Sequence, residues 1–148
     1  MSGYAPLALE TLKQKGFRLT RARRLVIETL DMAREPLSPY EIAERLVQRG
    51  EKVDTVSVYR ILERLEESHL IHRLMGSGKA LKCAIDDAAP AHHDSSGCHH
   101  LLICQGCHSV EEVACPGVDA VSASAARLNR FRVRAHQMEF LGLCAQCQ

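Results

Sequence analysis

Apolar residues recur at helical spacing through the first half of the chain and then give way to short alternating runs, so two kinds of structure follow one another. Residues 6–14 read as a short helix stopped by Gly16. Thr20 caps a second helix with Ala22, Val26, Thr29, Leu30 and Ala33 on one side. Ser38-Pro39-Tyr40-Glu41 is a capping box with Pro at the first helical position, and Ile42, Ala43, Leu46 and Val47 give the third helix its buried side up to Gly50. Asp54 caps a fourth helix whose Val58, Ile61, Leu62 and Leu65 keep i, i+3, i+4, i+7 spacing. On that helix Val56, Tyr59, Arg60 and Glu63 fall away from the apolar stripe.

The alternating runs begin next. Residues 70–75 and 80–85 flank Gly76-Ser77-Gly78 as a small hairpin, which with three helices makes a winged helix. Residues 86–97 are rich in small and polar side chains and read as the linker. Beyond it, strands are predicted over 99–103 and 109–114. A helix follows over 118–129 with Val118, Val121, Ala125 and Leu128 on one side, and then a strand over 131–143. The predicted class is α+β: an N-terminal winged helix-turn-helix domain over 1–85, a hinge over 86–97 and a smaller α/β domain over 98–148.

Composition sharpens this division. Net charge is only +1, yet residues 1–83 hold 15 Lys and Arg against 11 acids, and residues 84–148 hold 4 Arg against 7 acids. All seven cysteines and six of the eight histidines lie at or beyond Cys83. A basic half and a ligand-rich acidic half point to two separate tasks. Residues 1–17 mix Glu10, Lys13 and Lys15 into a helical pattern and no run reaches the length of a membrane span, so a cytoplasmic protein without membrane contact is expected.

The ligand-rich half carries the strongest chemical signal. Cys104-Gln105-Gly106-Cys107 and Cys144-Ala145-Gln146-Cys147 are two Cys-x-x-Cys knuckles that can turn four thiolates toward one tetrahedral Zn²⁺. Disulfides or a redox dithiol would use the same residues. They fit less well, because neither knuckle sits where a strand runs into a helix, as a redox motif of that type requires. In the basic half, a short helix, a turn and a helix with Tyr59 and Arg60 exposed near its start is how a helix-turn-helix presents groups to the major groove. Arg60 has the reach for guanine O6 and N7, and Tyr59 for a phosphate or a thymine methyl. An ordinary solvated helix face has the same pattern. Arg21, Arg23 and Arg24 crowd the start of the second helix against its dipole, an arrangement that a phosphate would relieve and that solvent also tolerates.

Gly16-Phe17-Arg18-Leu19-Thr20, then Thr55-Val56-Ser57-Val58-Tyr59-Arg60-Ile61-Leu62 leading to Glu66-Glu67, then the His-rich strand before one Cys-x-x-Cys and a second at the C-terminal end, resemble the ferric uptake regulator family over nearly the whole chain. The resemblance implies a dimeric, metal-dependent repressor of double-stranded operator DNA, with a winged-helix domain and a separate dimerisation domain. It places Tyr40, Thr55, Ser57, Tyr59, Arg60 and Arg23 toward DNA. His72 and Cys83, eleven residues apart across the hairpin, with Glu112 five residues past Cys107 and the closing Gly142-Leu143-Cys144-Ala145, look most like the zinc-sensing branch.

His72, Cys83, Glu112 and a further His would offer nitrogen, sulfur, oxygen and nitrogen, a set suited to regulatory Zn²⁺. The family commonly places a sensing ligand at the position of His99, and His92 and His93 are the alternatives. Cys98, His100, Asp119 and His136 occupy positions that bind a third metal in several members, although Cys and Asp replace the commoner His and Glu. Cys115 has no partner at family spacing and reads as structural. The expected function is therefore a zinc-responsive repressor of zinc uptake genes, with an iron or peroxide sensor as the neighbouring alternative. A zinc-ribbon adaptor for protein partners is the alternative from another class. An enzyme acting on a small organic substrate is not expected, since four protein ligands leave no place for a catalytic water.

Overall fold

A computed structural model describes residues 3–83, 99–114, 118–133 and 137–148, with the backbone alone at His99, Ala114, Val118 and Asp119. The chain divides into two compact units, Met1–Ile85 and Asp86–Gln148. The hinge expected over 86–97 lies outside the described residues.

In the first unit, α1 spans Tyr4–Gln14, α2 Arg21–Met32, α3 Pro39–Gln48 and α4 Thr55–Glu67, followed by β1 at Ile71–Arg73 and β2 at Ala80–Lys82. The caps expected from sequence are present. Thr20 accepts from the Arg23 amide, Ser38 and Glu41 close a reciprocal capping box, and Asp54 accepts from the Ser57 amide. Gly50, at φ 78°, ends α3 while its amide donates to Val47, a backbone conformation that side chains disfavour. The apolar stripes of the four helices meet in one core that includes Leu12, Ile27, Leu30, Ile42, Leu46, Val58, Leu62 and Leu65. Truncating one of these leucines to Ala would cost about 2–5 kcal/mol. Val47 does not join them. It stands 63 % exposed, because Ile42 and Leu46 already fill the inward side and the next residue turns beyond it.

The hairpin is tight. β1 and β2 pair antiparallel with Ile71 opposite Lys82 and Arg73 opposite Ala80, and Leu37 adds a bridge to Ala80 through two backbone hydrogen bonds of 2.9 and 2.7 Å. Buried Leu70, Ile71 and Ala80 join the helical core, so the wing is anchored to the helices.

In the second unit, β3 spans His99–Cys104, β4 Val110–Ala114, α5 Val118–Leu128 and β5 Glu139–Gly142. The strand order is β4-β3-β5, with β3 antiparallel to β4 and parallel to β5. The strand predicted over 131–143 contracts to β5. Residues 131–133 form no ladder, and 134–136 are outside the described set. Alternation alone cannot show where a partner strand ends, and here β3 supplies partners only for Glu139–Gly142. On α5, Val121 and Leu128 are 67 and 77 % exposed, so its apolar side faces outward. Among the described residues no helix is long and apolar enough to cross a membrane.

Candidate metal centre and nucleic-acid face

The turn between α3 and α4 presents a polar, aromatic face. Tyr40, in the first turn of α3, and Tyr59 on α4 are both exposed, as are Val56 and Arg60, while Thr55 and Ser57 are half-buried. The Ser57 hydroxyl donates to Asp54 Oδ2 at 2.6 Å, and the Ser57 amide donates to Oδ1 at 2.9 Å. These two bonds hold the Asp54 carboxyl below its usual range. The hydroxyl proton of Ser57 is thus engaged in capping the helix, and a phosphate could take it only by displacing the Asp54 carboxylate. Arg23 is half-buried. Its Nη1 donates to the Arg18 carbonyl, and its guanidinium lies over the Phe17 ring at 5.6 Å from the centroid. Arg21, by contrast, is committed to Glu51 by two bonds of 2.7 and 2.9 Å.

The four knuckle cysteines converge. Their sulfurs all lie within 4.8 Å of one another, and Cys107 Sγ is 3.7 Å from Cys144 Sγ. Four ligands at about 2.3 Å from a tetrahedral Zn²⁺ sit about 3.8 Å apart, so the spacing fits the ion. The local fold explains the convergence. β3 and β5 run parallel in register through Cys104 and Gly142, and the Gln105 amide donates to the Gly142 carbonyl at 2.7 Å, which brings the two knuckles side by side.

Electrostatics point the same way. Amides of Cys107 and Cys144 turn toward Cys104 and bring its thiol down to about 6, and the Cys144 amide lies 3.3 Å from its sulfur. Ser109, whose Oγ is 3.2 Å from Cys107 Sγ, lowers the Cys107 thiol. The crowd of Cys144, Cys104 and Cys107 sulfurs pushes Cys147 up to about 12. Four thiolates at this spacing repel one another unless a cation sits among them, and the donor set is the one zinc takes in closed structural sites.

Two residues of this centre escaped the reading of the sequence. A Cβ on Gly106 would lie 3.0 Å from both Cβ and Sγ of Cys147, so any larger residue there presses on a ligand of the knuckle. Ser109 sits one residue past His108, which at φ 61° turns the chain out of the knuckle. The signal for Gly106 was its place inside Cys-x-Gly-Cys. For Ser109 there was none.

On the wing, His72 and Cys83 bring a ring nitrogen and the sulfur within 4.8 Å of each other. β1 carries His72 opposite Leu81, and the Cys83 amide donates to the Leu70 carbonyl at 3.0 Å, which seats the buried thiol against the end of the hairpin. In the second unit, Glu112 pairs with Leu101 and His99 with Ala114, two ladder steps apart on β4 and β3. His100 is buried and meets Phe140 edge to face, with centroids 6.5 Å apart. Cys98, His136, His92, His93 and Cys115 lie outside the described residues, as does the side chain of Asp119.

The sequence profile of the Ferric uptake regulator family matches residues 14–141. The chain belongs to that family. Within it, the chain is 29 % identical to the peroxide operon regulator of Bacillus subtilis (strain 168) over 140 residues, 95 % of this chain and 90 % of the relative. It is 27 % identical to the zinc uptake regulation protein of Escherichia coli (strain K12) over 134 residues, 90 % of this chain and 75 % of the relative. Among solved structures, holo XcZur superposes with a TM-score of 0.79 at 26 % identity, covering 97 % of this chain and 96 % of that one. The α+β class, with a helical unit carrying a small hairpin and a second unit with its own sheet, agrees with that neighbour.

Proposed function

We propose that this family member is a zinc-responsive transcriptional repressor, acting in the cytoplasm as a homodimer on operator DNA to control zinc uptake genes. The observation that carries the reading is the pairing of an imidazole with a buried thiol on the wing, His72 with Cys83. Sulfur with nitrogen suits Zn²⁺, whereas sites for Fe²⁺ and Mn²⁺ favour oxygen. Glu112 and His99 are proposed to complete a set of nitrogen, sulfur, oxygen and nitrogen. Zn²⁺ held by all four would supply a rigid tie between the winged helix and the second unit.

The residues of the chain account for the remaining parts. Tyr40, Thr55, Tyr59 and Arg60 form the face offered to the major groove, with Ser57 fixing the helix start and Arg23 proposed to add a contact from the start of α2. The outward Val121 and Leu128 of α5, with exposed Phe140, Leu141 and Leu143, supply apolar surface that a second copy would cover. In a two-fold dimer, the angle between units sets the separation of the two recognition helices, so a ligand that fixes the angle selects the DNA-competent form. Linkage is reciprocal: operator DNA tightens zinc binding by the factor by which zinc tightens DNA binding, commonly about 1–3 kcal/mol. Moving the population from about 1:99 to 99:1 takes about 5.5 kcal/mol, within reach of two sites per dimer. Cys104, Cys107, Cys144 and Cys147 are proposed as a closed structural zinc site, which leaves no open position for catalysis.

The similarity to a peroxide operon regulator favours the neighbouring reading, a peroxide or iron sensor. A duplex selected from a random pool by the zinc-loaded chain separates the two. Its affinity is measured across buffered series of free Zn²⁺, Fe²⁺ and Mn²⁺, with and without peroxide. Tightening by zinc alone, unaffected by peroxide, is expected. Tightening by Fe²⁺ or Mn²⁺ that peroxide abolishes would replace the zinc reading with the other.

A further inference from the structure

Arg64 belongs to neither the core nor the base-reading face, yet it is held in a definite place. Its guanidinium carbon lies 5.9 Å from the centroid of the Phe17 ring, the same ring over which Arg23 lies at 5.6 Å. Two cations drawn to one aromatic ring gain from its quadrupole and lose by repelling each other. Each has a weak outside partner. Arg23 donates to the Arg18 carbonyl, a neutral acceptor that brings no opposite charge of its own. Arg64 pairs with Glu67 at 2.7 Å, with side chains 52 and 58 % exposed, the kind of surface pair that contributes little and exchanges readily.

Position on α4 gives the pair a direction. Ser57, Arg60 and Arg64 fall along one flank of the helix, while Tyr59 lies on the other, toward Tyr40. Arg64 is one turn beyond Arg60, a rise of about 6 Å along the axis. In a helix-turn-helix the first turn of the second helix reads bases, and a cation one turn later, beside the start of α2, is placed for the sugar-phosphate backbone. We propose that Arg64 is a phosphate contact, and that Phe17 is the positioning residue that sets Arg64 and Arg23 side by side to receive the DNA backbone, with Glu67 holding Arg64 until DNA arrives. This rests on the DNA-binding reading above and adds to it a residue, a counter-ion exchange and a role for Phe17.

The test uses the zinc-loaded full chain and a mixed-sequence 30-bp duplex, because binding to phosphate does not depend on sequence. Affinity is followed by fluorescence anisotropy between 50 and 300 mM NaCl. Arg64→Ala is expected to weaken binding roughly threefold to tenfold and to lower the salt slope by about one for each phosphate left without its arginine. Glu67→Gln is expected to act in the opposite direction, tightening binding a few-fold, since the exchange partner is gone; a residue that only supports the fold would not produce that sign. Phe17→Leu should reproduce Arg64→Ala, and Phe17→Tyr, which restores the ring, should return affinity and slope to wild type. A wild-type slope that Arg64→Ala leaves unchanged, or Glu67→Gln binding no tighter than wild type, overturns this inference alone. A wild-type chain with no salt-dependent duplex binding overturns the DNA-binding reading and this inference with it.

Discussion

Tyr40 and Tyr59 meet edge to face, with ring centroids 6.2 Å apart and planes at 86°. One ring comes from the first turn of α3 and the other from the second turn of α4, so the contact spans the turn of the helix-turn-helix. Both rings are exposed, Tyr40 at 67 % and Tyr59 at 37 %, which limits what the pair adds to folding. Its effect is to fix two phenol hydroxyls relative to each other on the face proposed for DNA. Tyr40→Ala and Tyr59→Ala are each expected to lower stability by less than about 1 kcal/mol, as suits exposed rings. In a double-mutant cycle read by DNA affinity, the two should couple by about 0.5–1 kcal/mol. Strict additivity in that cycle would show that the rings act separately.

His72→Ala and Cys83→Ser are expected to leave a folded dimer that no longer tightens on DNA when zinc is added. The wing itself should survive, because the backbone pairing of β1 with β2 and the Cys83 amide bond to Leu70 do not involve these side chains. The check is a zinc titration of DNA binding alongside sedimentation mass. A wild-type zinc response in either variant would remove the wing pair from the sensing role.

The helical unit was legible in the sequence to within a residue or two because each helix from α2 to α4 carries its own start signal. Thr20, Ser38 and Asp54 are local devices, readable from neighbours three positions away. The four-cysteine centre was legible for a different reason: thiolate spacing encodes convergence however the intervening chain runs. What the sequence hid depended on partners far along the chain. The length of β5 is set by β3, the outward turn of Val47 by how Ile42 and Leu46 fill their side, and the close approach at Gly106 by Cys147, forty-one positions later. Phe17 read as one residue of a motif, and only folding showed it beneath Arg23 and Arg64.

Acid should weaken the helical unit through Glu41. Its carboxylate accepts from the Ser38 amide at 2.6 Å and from Lys79 Nζ at 2.9 Å, tying α3 to the turn of the wing, and its pKa falls to about 2. A depressed folded-state pKa stabilises above the unfolded value of about 4.3 and loses that contribution as pH falls toward 2. The side chain is 41 % exposed, so screening reduces the effect to roughly 1 kcal/mol or less. All three tyrosines lie in the first unit, and their fluorescence reports its unfolding alone. Wild type should melt above Glu41→Gln at pH 6, with the gap closing between about pH 4 and 2. A gap that stays constant across this range would show that Glu41 acts through shape rather than charge.

Removal of metal should unfold the second unit and spare the first. Among the described residues the second unit carries exposed apolar side chains, including Leu128, Phe131 and Leu141, and its two knuckles meet at the four sulfurs, at the Gln105 to Gly142 bond and at the Cys144 amide beside Cys104 Sγ. Binding energy at a closed thiolate site is therefore folding energy, and Cys104→Ser or Cys147→Ser should destabilise this unit and lower dimer mass. Gly106→Ala probes the geometry without removing a ligand. Its Cβ, 3.0 Å from Cys147 Sγ and 3.4 Å from Leu143 Cδ2, forces a shift of a few tenths of an ångström in a centre that tolerates about 0.2 Å. Zinc affinity should fall about 10- to 100-fold, as it does when the surroundings of a ligand are disturbed. Gly76→Ala on the wing, where an added Cβ meets nothing within 4 Å, is the control and should leave zinc affinity unchanged. Competition with a zinc-binding dye, read beside thermal unfolding, measures both. Equal zinc affinity in Gly106→Ala and wild type would mean that the knuckle relaxes around the extra methyl and that the glycine is there for another reason.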